Sequence, residues 1–166
     1  MSSKFLLTAC IPLTTYAASI TVGFSPSNEE PSAESVVLSA INEAKKSLRM
    51  AAYSFTSKPV AAALVKAHNR GVDVQVVLDK SQRKETYTGA TYLANEGIPV
   101  RINSNYAIMH NKFIVVDGVS VETGSFNYTR AAAEKNAENV VYLKDVPEIA
   151  KRYSVEWERL WDEAAQ

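Results

Sequence analysis

Cysteine is nearly absent: the 166 residues hold one, Cys10. A single cysteine closes no intrachain disulfide, so the fold must be held by its core. Histidine is almost as scarce, with only His68 and His110, which leaves few candidates for imidazole chemistry. Charge of one sign is missing too, since 18 basic residues balance 18 acidic ones. That balance argues against a binder working mainly by neutralising phosphates, but not against an enzyme that holds one anion briefly. No internal repeat and no low-complexity linker divides the chain. What is present is an apolar content of 46%, enough for a sizeable core at this length.

The first residues differ from the rest. A short basic start, ending at Lys4, precedes an uncharged stretch over 5–24, with small residues at Ala17, Ala18 and Ser19 and acids at Glu29 and Glu30. This is the pattern of a signal peptide over 1–18, cut near Ala17 or Ala18, followed by a single domain over 19–166. The mature chain would then be periplasmic or secreted, with no cysteine, no cysteine-based mechanism and no stable membrane association. Two alternatives are a retained N-terminal anchor, which Pro12 and the threonines and serines weaken, and a lipoprotein processed at Cys10, whose preceding apolar run is short.

From Pro31 onward helix and strand signals alternate. Ser32 can cap a helix in which Val36, Val37, Ala40, Ile41, Ala44 and Leu48 recur at three- and four-residue spacing. Strands are expected at 49–55, 72–79, 98–102, 109–116, 119–123 and 139–143, with an early one around 19–24. A second helix is capped by Ser57 or Thr56 and ends before Gly71, and a short one stops at Gly97. Asp117-Gly118 is the strongest hairpin turn in the chain. Asp145 is expected to cap a last helix, with Ile149, Tyr153, Trp157, Leu160 and Trp161 facing inward. The class is therefore α/β: a mixed β-sheet flanked by helices on both faces, an α/β/α sandwich.

His68 lies near the C-terminal end of the second helix, where the helix dipole accounts for a surface imidazole. His110 is placed differently. On a strand, His110 and Lys112 share one face and can converge on one anion. The hairpin brings Gly124-Ser125-Phe126-Asn127 back beside them, adding a hydroxyl and an amide. Asp117 sits at the far end of that strand and reads as structural.

The spacing His110-x-Lys112-x4-Asp117-x6-Gly124-Ser125-x-Asn127 fixes six identities and resembles the signature of the phospholipase D superfamily. Further stretches, Ala52-Tyr53-Ser54-Phe55-Thr56 and Arg70-Gly71-Val72-Asp73-Val74, are similar to the small exported bacterial endonucleases of that family. The resemblance implies metal-independent attack on a phosphodiester. His110 would be the nucleophile, giving a phosphohistidine, while Lys112 and Asn127 hold phosphate oxygens and Ser125 supports the imidazole or the phosphate. Glu138 stands where a glutamate orients the nucleophilic histidine in such enzymes, although a solvated strand-end charge explains it equally well. No cofactor is implied. The two-histidine mechanism needs two motifs and this chain has one, so a C2 homodimer with a composite site is expected.

The expected substrate is nucleic acid, DNA or RNA. Lys80, Arg83 and Lys84 could follow its backbone and Tyr87 could stack on a base, though a solvated polar loop also accounts for them. A lipid phosphodiesterase is the alternative that the motif itself does not separate, and the chain's small size favours the nuclease. A metal nuclease using Asp73, Asp79 and Glu122 lacks paired spacing, and a silent DNA-binding module would not need His110, Lys112 and Asn127 intact.

Overall fold

The computed structural model describes residues 17–83 and 89–164. Residues 1–16, which hold Cys10 and most of the expected signal peptide, and the loop residues Lys84 and Tyr87 lie outside them.

Seven strands form one mixed sheet: β1 (Ser19–Ser25), β2 (Ser47–Ala52), β3 (Asp73–Asp79), β4 (Val100–Asn103), β5 (Lys112–Val116), β6 (Ser120–Gly124) and β7 (Glu138–Lys144). Their spatial order is β1-β7-β6-β5-β2-β3-β4. The β2-β3-β4 half is parallel and the remaining pairs are antiparallel. That split follows from the connections. Helices α1 (Ala33–Glu43), α2 (Lys58–Asn69) and α3 (Gly89–Asn95) serve the crossovers early in the chain, whereas the tight turn at 117–118 folds the later part back on itself.

Both faces are covered, as the alternation requires. Val36, Val37, Ile41, Val60, Leu64 and Leu93 pack with Met50, Val76, Leu78 and Ile114 on one face. On the other, α5 (Pro147–Asp162) lays Ala150, Trp157 and Leu160 over Ala51, Val77, Phe113, Val115 and Val121. The Trp157 indole N–H donates to the Met50 carbonyl at 2.9 Å, which fixes the helix against the central strand. Ser32 and Ser57 cap α1 and α2, accepting from Ser35 and Val60.

Four local expectations are corrected. Strand β5 begins at Lys112 rather than at residue 109, because the Met109 N–H is taken by the Asp79 carboxylate at 2.7 Å instead of a neighbouring strand. Asp145 does not cap α5. It adopts φ 55° and donates its N–H to Ser120 Oγ, so Val146 takes the cap position without a side-chain bond. Ile149 is 41% exposed rather than inward, since it sits at the rim of a groove. A fourth helix, α4 (Arg130–Glu134), forms where the periodicity gives no element, its first turn closed by Thr129 accepting from Ala132.

Candidate active site

The Asp117-Gly118 turn sets the register of everything that follows. Both residues have positive φ, 55° and 70°, at the centre of the turn that the Val119 N–H closes on the Val116 carbonyl, and because Val116 pairs with Ser120, Val119 is a third loop residue. The Asp117 carboxylate accepts from the N–H groups of Lys45, Lys46 and Ser47 at 3.0, 2.7 and 2.9 Å. It ties the hairpin to the start of β2, at the end of β5 away from His110.

At that other end His110 lies just before β5, with its side chain exposed. Lys112, on the first residue of the strand, is buried. Its ammonium stands 3.3 and 3.4 Å from the two imidazole nitrogens and donates to the His110 carbonyl at 2.9 Å. Burial lowers the Lys112 pKa, and the negative charge of Glu138 partly restores it. The Tyr53 ring, immediately after β2, packs against the same imidazole with ring centroids 4.7 Å apart.

Across the hairpin, Gly124 passes so close to β7 that a Cβ there would come within 2.1 Å of the Asn139 carbonyl oxygen, so only glycine fits. This approach delivers Ser125 to β7. Its hydroxyl donates to Glu138 at 2.5 Å and accepts from the Asn139 N–H at 3.0 Å. Glu138 also accepts from Asn136. The structure thus joins His110 with Lys112, and Ser125 with Glu138, and couples the two pairs electrostatically through Lys112 and Glu138. No hydrogen bond links Glu138 to His110 among the described residues. Asn127 stands outside these contacts, flanked in sequence by Phe126 and Tyr128, whose buried rings meet edge to face, and its side-chain oxygen is buried without a partner.

An open groove of about 580 Å³ runs past His110 and Lys112. Thr123 and Gly124 line it on one side and Ile149, Arg152, Tyr153 and Glu156 of α5 on the other. Such a cleft can admit an extended anionic chain. The α5 residues and Tyr53 carry no motif spacing of their own, and only the fold shows that they border the site.

The three acids weighed as metal ligands are apart and already engaged. Asp73 pairs with Arg49. Asp79 accepts from Ser81 and Met109. Glu122 is fully buried with the Tyr128 hydroxyl at 2.8 Å, and burial pushes its carboxyl up to about 8.

A family model described as cardiolipin synthase, PLD-like domain, matches residues 37–161. The chain is 40% identical over 117 residues to a phospholipase D of Rickettsia bellii, covering 70% of this chain and 58% of that protein. It is 37% identical over 132 residues to a mitochondrial cardiolipin hydrolase of Xenopus tropicalis, covering 80% and 62%. It therefore spans about six-tenths of the length of these curated relatives. Among solved structures, Nuc of Salmonella typhimurium, a phospholipase D family member, superimposes with a TM-score of 0.84 at 45% identity, covering 90% of this chain and 97% of that one. NucT of Helicobacter pylori shares the fold with a TM-score of 0.80 at 23% identity, covering 90% and 99%. With the motif, the sheet order and these matches in agreement, the chain belongs to the phospholipase D family.

Proposed function

We propose that this chain is a phosphodiesterase that hydrolyses nucleic acid, DNA or RNA, without a metal, at a site shared by two copies. The observation that carries the reading is the Lys112 ammonium against an exposed His110 imidazole at the head of an open groove. A cation beside a nucleophile is what a phosphodiester needs, because negative charge grows on the non-bridging oxygens as phosphorus becomes five-coordinate.

In this reading a neutral His110 nitrogen attacks phosphorus, and the P–O bond to the leaving oxygen breaks. That oxygen takes a proton from the charged His110 of the second copy. Water then attacks the phosphohistidine, the second imidazole takes its proton, and the first is regenerated. Lys112 and Asn127 bind the non-bridging oxygens, while Ser125 and Glu138 brace the β6–β7 side. General acid help of this kind contributes roughly 10²–10⁴ in rate.

Nucleic acid is favoured over lipid by the resemblance to Nuc, at 45% identity against 40% and 37% for the phospholipase D and the cardiolipin hydrolase.

Plasmid DNA incubated with the protein and excess EDTA, beside His110→Ala, tests this. Cleavage that survives EDTA and disappears in the variant is expected. Cleavage abolished by EDTA would sink the metal-free mechanism, and activity only on phospholipid vesicles would transfer the site to lipids.

A further inference from the structure

We propose that Tyr53 is a positioning residue of this site, holding the imidazole and the ammonium in one arrangement. The proposal rests on the phosphodiesterase reading with His110 as the reacting group. Three observations carry it. The Tyr53 and His110 rings lie 4.7 Å apart at 56°, a tilted contact within the range of favourable aromatic pairs. The Lys112 ammonium stands 5.6 Å from the centroid of the same ring, inside the distance at which a cation is drawn to a π face. And the backbone fixes Tyr53 firmly, since Ala52 pairs with Lys112 in the β2–β5 ladder while Phe55, two residues on, is fully buried.

The need for such a wall follows from where His110 sits. It precedes β5 and so lacks the strand's restraint, and its side chain is exposed. An unsupported imidazole there would sample several rotamers, only some aimed at phosphorus. Tyr53 closes one side and Lys112, itself beside the Tyr53 ring, an adjoining one, so a single ring orders both the attacking nitrogen and the cation that receives the phosphate. It acts through these two groups and not on the substrate. Misplacing a reacting group by about 1 Å can cost roughly 10²-fold in rate.

The test pairs kinetics on a soluble chromogenic phosphodiester with NMR of the histidine ring protons. Tyr53→Phe keeps the ring and is expected to stay within about threefold of wild-type kcat. Tyr53→Leu, with Tyr53→Met as a second aliphatic variant should Leu fold poorly, is expected to lower kcat by about 10- to 100-fold with KM little changed. The His110 resonances, assigned by their loss in His110→Ala because His68 is the only other histidine, should lose the ring-current shift in both aliphatic variants and keep it in Tyr53→Phe. Wild-type kcat in the aliphatic variants overturns the proposal, as does a Tyr53→Phe enzyme as slow as they are, which would assign the role to the hydroxyl. A wild-type protein inactive on every diester, or a His110→Ala variant as active as wild type, would count against the phosphodiesterase reading instead. The NMR comparison would then still decide the ordering role, and His110 signals unchanged in Tyr53→Leu would overturn it.

Discussion

Glu122 and Tyr128 flank the Gly124–Asn127 segment, one in the middle of β6 and one just beyond Asn127, and their side chains meet in the core at 2.8 Å. Burial pushes the Glu122 carboxyl up to about 8, against the lowering effect of the Tyr128 hydroxyl. In the unfolded chain the same carboxyl ionises near its ordinary 4.5. Because the folded value is raised, the contribution to stability is full below about pH 4.5 and is lost as pH rises through about 8. The expected outcome is that Glu122→Gln, neutral throughout, flattens this dependence. Melting temperatures at pH 5 and pH 8.5 should diverge less in the variant than in wild type, and parallel slopes would refute the buried-acid account. None of this was legible in the sequence. The sequence offers Glu122 as a metal-ligand candidate, because a spacing pattern does not reveal which strand face closes over a carboxylate.

At the scale of elements, the hairpin was legible because its chemistry is local. Asp117-Gly118 supplies the positive φ values at the centre of the turn, and it carries Gly124, Ser125 and Asn127 into place. Distance along the strand suffices to read Asp117 as structural, but not to name its partners, which lie about 70 residues earlier. Their number makes a prediction. Asp117→Ala removes the acceptor of three backbone N–H groups and places a Cβ-bearing aliphatic at positive φ, so it should cost about 2–4 kcal/mol. Urea unfolding would measure it, and a loss under about 0.5 kcal/mol, the level of an ordinary surface change, would show that the clamp is dispensable. Elements set by distant contacts were misread for the same reason that Asp117's partners were hidden. Met109 leaves the strand because Asp79 takes its N–H, and Asp145 turns away from α5 because Ser120 holds its N–H. Both competing groups lie on other strands.

For the whole molecule the open question is how one motif performs chemistry that the two-histidine mechanism assigns to two. Among the described residues the sheet is covered by α1 to α4 on one face and by α5 on the other, with Ile20, Val22 and Phe24 exposed on β1. A site shared by two copies needs the two-fold axis to pass beside His110. Strand β1 lies three strands from β5, roughly 14 Å at about 4.8 Å per strand, so the copies must meet at the His110 end of the groove and not through the β1 margin. Mixed dimers test the shared site. When wild type and His110→Ala are co-expressed in equal amounts and pair at random, a composite site is complete only in the wild-type pairs, so activity should fall to about one quarter. Independent sites would leave about one half, because each wild-type subunit would then work whatever its neighbour. The quarter and the half are far enough apart for a single titration of the mixing ratio to decide between them, since a shared site gives a curve quadratic in the wild-type fraction and independent sites give a straight line.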